Sequence, residues 1–278
     1  LVLGLCLSIG LTNAQTFTDN FDTYTAGAYL AQQSSAWTTW GNAPGTTEDV
    51  KVSNADSHSS PNSIYLSSNS ANGGPTDLVK QFGGTYQTGN FNLEMWMKIE
   101  SNKGAYFNIQ GKAPIGDMFV FEYYWNSDGT FEISNTTDGT LLAGTYPTGT
   151  WFKFNLNIDL TINDWEVLID GTSKGSFSVA DNQVWGMDIF PYNSVAPNQA
   201  GYYIDDFTYT YTPFVPLAKD LAVTKYNING VIAGSKHNSS VTVRNIGNSA
   251  ITSFDLATSY NGMNFNKSVT GVNIATMA

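Results

Sequence analysis

Apolar and polar residues alternate with a period of two through much of this chain. Phe91, Leu93, Met95, Met97 and Ile99 fall on one side of an extended stretch, and Asn92, Glu94, Trp96, Lys98 and Glu100 on the other. Alternation of this kind marks a strand with one face buried. Phe119, Phe121, Tyr123 and Trp125 repeat it, as do Phe152, Phe154, Leu156 and Ile158, then Trp165, Val167 and Ile169. Turn-forming residues separate the runs at Ser127-Asp128-Gly129, Thr137-Asp138-Gly139 and Asp170-Gly171. From Thr16 onward no ten-residue stretch combines helical spacing with freedom from Gly, Pro and β-branched residues. Short strands with polar turns between them predict an all-β, two-sheet antiparallel sandwich. Two long loops interrupt it, 42–62 (rich in Gly, Pro, Ser and Asp) and 67–75 (rich in Asn, Gly and Ser).

The strand-like run YYIDDFTYTY at 202–211 closes this unit, predicted over residues 15–213. The PFVP sequence at 213–216 cannot continue a central strand, because proline lacks the amide donor, so 214–219 reads as a linker. A second β unit starts at Asp220 with DLAVTKY and continues with SVTVRNI and ITSFDLATSY. The stretch 220–278 is shorter than the roughly 100 residues of an immunoglobulin-like domain, so a C-terminally truncated unit of a longer protein is expected. At the other end, LVLGLCLSIGL (1–11) is too short to span a bilayer and runs into Thr12-Asn13-Ala14 and Gln15. It reads as part of a signal peptide, residues 1–14, cut after Ala14; a buried N-terminal strand is the alternative. A lipid anchor on Cys6 would want a small residue before it, where Leu5 stands.

Composition narrows the functional classes. Charged residues make up 13% and aromatics 14%, with 26 glycines. Few charges and many aromatics suit strands and turns and make poor surface helices, which argues against helical bundles and doubly wound α/β enzymes. The net charge is −11, and Arg244 is the lone arginine. Nucleic acid needs clustered Arg and Lys, so it is excluded as a partner, and an anionic membrane surface would repel the chain. With one Cys and two His (His58 and His237), an intrachain disulfide is impossible, and zinc sites or His-dependent triads have little material.

Several segments, in order, resemble the concanavalin A-like jelly rolls of the laminin-G-like lectin and glucanase group. They are Asp19-Asn20-Phe21-Asp22, Pro61-Asn62-Ser63-Ile64-Tyr65-Leu66, FNLEMWMKI from Phe91, GTWFKFNLNID from Gly149, WEVLIDG from Trp165, and Tyr203-Ile204-Asp205-Asp206-Phe207. The VTVRNIGNSAITSFDLATSYNG segment is similar to bacterial immunoglobulin-like adhesion repeats. The resemblance implies a secreted or cell-surface multi-domain protein, and a structural Ca²⁺ where the first and last strands meet. Asp19, Asp22, Asp205 and Asp206 are the acids at that seam, and hard carboxylate oxygens suit the ion. The other reading of these four is turn and edge carboxylates bonded to backbone.

Glucanases of the group carry acids on alternate residues of one strand, about 5 Å apart across a cleft. Glu94 and Glu100 lie six residues apart, roughly 20 Å along a strand, Glu122 is alone on its strand, and Asp159 lies near a strand end. These read as solvated acids, and the expectation is that this stretch is not an enzyme. Glycan binding draws on other residues. Sugars stack on aromatic faces and hydrogen-bond to amides and carboxylates around them. Trp37 and Trp40 sit in a polar segment, Tyr124 faces opposite Tyr123 and Trp125, Trp96 faces opposite Met95 and Met97, and Trp185 lies near a turn. These five are the candidate platforms, with core packing as the competing role for each. The expected function is binding of a polysaccharide or cell-surface glycan. A spacer stalk without ligand, or the accessory front of an enzyme or thioredoxin-like domain further along, are the alternatives.

Overall fold

The computed structural model describes residues 14–193, 195, 199–228, 239–260 and 263–276. The leader-like run 1–11 and His237 lie outside them. The chain divides into two compact units, Leu1–Pro213 and Phe214–Ala278.

The first unit is built of β1 (Gln15–Asp19), a four-residue helix α1 (Leu30–Gln33), β2 (Thr38–Thr39), β3 (Val52–Ser53), β4 (Ser63–Ser68), β5 (Leu78–Tyr86), β6 (Asn90–Ile99), β7 (Ala105–Gln110), β8 (Phe119–Trp125), β9 (Thr130–Asn135) and β10 (Gly139–Thr145). It ends with β11 (Phe152–Asp159), β12 (Asp164–Ile169), β13 (Thr172–Phe177), β14 (Val184–Phe190) and β15 (Ala200–Thr212). One sheet of eight strands runs β13-β12-β11-β6-β15-β4-β3, with β1 also on β15. Gln15–Asp19 pair with residues 207–211 of β15, and β4 pairs with residues 200–204 of the same strand. The other sheet, of seven strands, runs β10-β9-β8-β7-β14-β5-β2. Every ladder between these strands is antiparallel, and the chain crosses repeatedly from one sheet to the other, as in β4 to β5 and β14 to β15. This is a two-sheet antiparallel jelly-roll sandwich.

Alternation places the core as the sequence predicts. Phe91, Leu93, Met95, Met97 and Ile99 of β6 are all buried, and Phe154 and Leu156 of β11 lie opposite Met95 and Leu93. The facing sheet supplies Phe107, Ile109, Phe121, Tyr123, Trp125 and Phe131. Phe154 bridges the layers, with ring centroids 5.4 Å from both Phe107 and Tyr123 in edge-on contact. Such pairs add about 0.5–1.5 kcal/mol each beyond the area they bury. Strand β8 breaks the alternation at its start. Ile109 pairs with Phe121 but Gln110 pairs with Phe119, so Val120 is an extra residue. A bulge of this kind turns the side chain before it to the other face. Val120 is therefore buried while Phe119 is 41% exposed on the outer face.

In the second unit, β16 (Leu221–Ile228) pairs with β17 (Ser239–Asn245) and β18 (Ile251–Tyr260) with β19 (Met263–Ile274). The Asn245 side chain donates to the carbonyls of Ser249 and Ile274, at 2.9 and 3.0 Å. Both ladders are antiparallel. An immunoglobulin-like sandwich would need further strands than these ladders hold.

Candidate functional site: an aromatic and carboxylate cavity

The outer face of the seven-stranded sheet carries two rows of side chains. Glu122, Asn108 and Asp188 stand in register across β8, β7 and β14. Two residues along, Tyr124, Tyr106 and Phe190 form a second row. Their strand neighbours Phe107, Ile109, Phe121 and Tyr123 point into the core, so alternation sends these six outward. Even so, Asn108 is only 1% exposed, Asp188 4% and Tyr106 7%. Loops around the sheet wall them in, contributing Trp40, Asn72, Asp77, Phe119 and Tyr192 to a cavity of about 360 Å³. Such a volume is at the small end for ligand sites and accommodates a short stretch of a sugar chain.

Two glycines let the walls approach. Gly116 has φ +86°, and a Cβ there would lie 2.9 Å from the Trp40 ring. Gly73 has φ +75°, and its Cβ would fall 2.3 Å from the Phe190 ring. Trp40 in turn leans on Phe119, ring centroids 6.1 Å apart.

Hydrogen bonds order the floor. The backbone N–H of Gly116 donates to Gln110 Oε1 at 3.0 Å, and Gln110 Nε2 donates to Asn108 Oδ1. Asn108 Nδ2 donates to Asp188 Oδ2 at 2.7 Å, and the Tyr106 hydroxyl to Glu122 Oε1 at 2.9 Å. Burial, with the Glu122 charge next, pushes the Tyr106 and Tyr124 hydroxyls well up, so both remain donors at any physiological pH. Asp77 Oδ1 and Asp188 Oδ1 are buried and receive no N–H or O–H donor. The two carboxyls adjoin, and a proton on one of them relieves their mutual repulsion. Burial first, then the neighbouring Asp188 carboxyl, pushes Asp77 up to about 9, and burial raises Asp188 as well. The cavity's ionisable lining is Asp77, Glu122 and Asp188 with the tyrosines, and no Lys, Arg or His is among it.

Of the five aromatic residues predicted as platforms, Trp40 and Tyr124 meet in this cavity. Trp37 does not serve and is corrected to a core residue. It is 2% exposed, its ring lies 5.1 Å from that of Phe207, and its indole N–H donates to Asp19 Oδ2 at 2.8 Å. Trp96 lies on the outer face of the other sheet, where His58 stacks on it at 3.6 Å and covers one ring face. Trp185 is half-buried on β14 and does not line the cavity.

The four acids of the strand seam do come near one another, since Asp19 pairs with Phe207 across β1 and β15. They serve the chain itself. Asp19 accepts from the Tyr24 hydroxyl, the Trp37 indole and the Phe21 amide. Asp22 accepts from the Asn62 amide and the Asn20 side chain. Asp205, fully buried, accepts from the amides of His58, Ser59 and Asp206. Asp206 takes the Ser59 hydroxyl and His58 Nδ1, both at 2.7 Å. N–H and O–H donors of the surrounding loops meet all four carboxylates, so this set clamps those loops to the strand seam. Among the described residues no three acidic, His or Cys side chains form a metal donor set.

Sequence reasoning missed Asp77, Tyr106, Asn108, Phe119 and Asp188. Asp188 sits in VWGMDIF, where an acid among apolar residues is the one available signal. Asp77 lies in a loop next to a strand start, and Phe119 is turned out by the bulge.

No family model matches this sequence, and no curated protein matches it either. Solved structures do. They include a sialidase (TM-score 0.45, 10% identity, covering 68% of this chain and 19% of that one). Another is an alginate lyase of polysaccharide lyase family 7 (0.43, 11%, 59% and 82%), and a third an apo Crh5 transglycosylase (0.45, 11%, 73% and 85%). This chain thus spans 19% of the length of that sialidase. Such identities bear on fold alone. The expectation that this stretch is not an enzyme is nonetheless corrected. Alginate lyases and a transglycosylase stand among the similar structures.

Proposed function

We propose that the first unit binds a glycan chain in the cavity on the outer face of its seven-stranded sheet, as part of an exported or cell-surface protein. One observation carries the reading: aromatic rings from Trp40, Phe119, Tyr124 and Tyr192 surround the buried, hydrogen-bonded polar floor of Asn108, Asp188 and Tyr106. Rings stack on the apolar face of a pyranose while amide, carboxyl and phenol groups take its hydroxyls. The leader-like apolar run before Ala14 and the low charge support the location outside the cell.

A second reading belongs to the same cavity. Asp77, pushed up to about 9 beside Asp188, carries a proton at neutral pH and lines the same cavity, which supports general-acid cleavage of the bound chain as the second reading. A glycan array with wild type, followed by titration of the best binder, tests the proposal. Stacking of one ring contributes on the order of 1–3 kcal/mol, so Tyr124→Ala and Trp40→Ala should each weaken binding tenfold or more. Chromatography of the glycan after incubation shows whether chains are shortened, with Asp77→Asn as the comparison. If no glycan binds, the spacer reading takes its place.

A further inference from the structure

We infer that the cavity is built for a glycan carrying a free amine, a 2-amino-2-deoxyhexose chain, and against uronic or sialic acid chains. The inference rests on the glycan reading above and adds the charge of the sugar. Three carboxyl groups line the cavity, and no cationic side chain of the protein faces them there. Nearby lysines are committed elsewhere. Lys112 pairs with Asp117 at 2.9 Å, and Lys80 donates to the Ala36 carbonyl at 2.9 Å.

Asp188 is the second, independent observation. It is 96% buried on a basis of 4% exposure, lines the cavity, and its Oδ1 has no donor from the protein. Asp77 Oδ1 is in the same condition. A buried pair of like groups is costly when both ionise, and a proton between them or a cation beside them relieves the cost. An ammonium group in the cavity brings a compensating positive charge and up to three N–H donors beside this carboxyl pair. The surrounding rings of Trp40, Phe119 and Tyr124 offer it their faces as well. An anionic sugar meets like charge here with no compensating cation. An amine that arrives protonated displaces the Asp77 proton to solvent, and one that arrives neutral takes that proton itself with none released, so charge balances in both cases.

The test is calorimetric titration with three hexamers of like length: glucosamine, unsubstituted β-1,4-glucose and guluronate. The glucosamine hexamer should bind at least tenfold tighter than the glucose hexamer, and guluronate should not bind. At about pH 5, where the free sugar amine is protonated and Asp77 still holds its proton, titrations in buffers of different ionisation enthalpy should show release of up to one proton. Asp77→Asn should abolish that release, and Asp188→Asn should remove the preference for amine over hydroxyl. Glu166→Gln, remote from the cavity, checks for general attraction to an acidic chain and should leave the preference intact. If Asp188→Asn does not fold, Asp77→Asn and the buffer series carry the test. Equal or tighter binding of the glucose hexamer overturns this inference and leaves the glycan reading standing. Tight binding of guluronate overturns it too. Binding of none of the three, after a negative array, overturns both.

Discussion

Trp37 and Trp40 are three positions apart in one polar segment and end in opposite roles. The Trp37 ring packs among Phe17, Phe21 and Phe207, whereas Trp40 is half-buried at the cavity wall. Trp37→Ala should therefore cost about 3–5 kcal/mol in denaturant unfolding, as a large ring lost from a core does. Trp40→Ala should leave the unfolding midpoint almost unchanged and lose glycan affinity. A Trp40→Ala protein that unfolds like Trp37→Ala would place both rings in the core. Asp77 makes a prediction in pH. Its carboxyl is raised from 3.8 to about 9 on folding, so the folded state holds a proton that the unfolded chain sheds between those values. Its stabilising contribution is complete below about pH 4 and is lost as pH rises through about 9. Asp77→Asn is neutral throughout, so its melting temperature should gain on wild type between pH 5 and pH 9. A constant difference across that range would mean that Asp77 ionises freely.

Strand β6 shows what spacing reveals. Its residues alternate in burial over nearly its whole length, from Phe91 inward to Ile99 inward, because one face meets the core and the other does not. Strand β8 shows where spacing fails. Phe119 has the same parity as Phe121, and only the extra residue Val120 sends it out, a choice made by pairing with β7 and not by local sequence. The cavity was hidden for a related reason. Asp77, Asn108, Glu122 and Asp188 belong to separate elements up to 111 positions apart, brought together by sheet order, which alternation within a strand does not encode. The acids at the strand seam were visible as a group, but Asp205 and Asp22 are met by backbone amides of the 58–62 loop, and no sequence spacing announces those. Loop geometry gives its own prediction. Gly73→Ala adds a Cβ at φ +75° against the Phe190 ring and the Pro191 carbonyl. The left-handed backbone alone costs about 1–2 kcal/mol for an L-residue. The variant should unfold at lower denaturant and bind glycan more weakly, because Phe190 must give way.

At the scale of the chain, export is the expectation that the leader-like run sets. Intact mass of the protein recovered from medium or cell surface should begin at Gln15, and a product retaining residues 1–11 would sink the signal-peptide reading. No helix among the described residues is long and apolar enough to cross a membrane. One pairing carries further. Gln15 lies opposite Tyr211 and Asp19 opposite Phe207, so the first unit begins and ends at the same end of one antiparallel ladder. Tension applied between those two ends loads the Gln15 rung first, then its neighbour, one after another. Strands pulled in this direction peel, whereas strands pulled lengthwise past each other must break all their rungs together. A load that enters at residue 15 and leaves at residue 212 would therefore lengthen this unit early, one rung at a time, as an extensible fuse does. Single-molecule stretching from residues 15 and 212 should show a first yielding at lower force than stretching from 90 and 212, because β1 is held by β15 alone whereas β6 pairs with β11 as well as with β15.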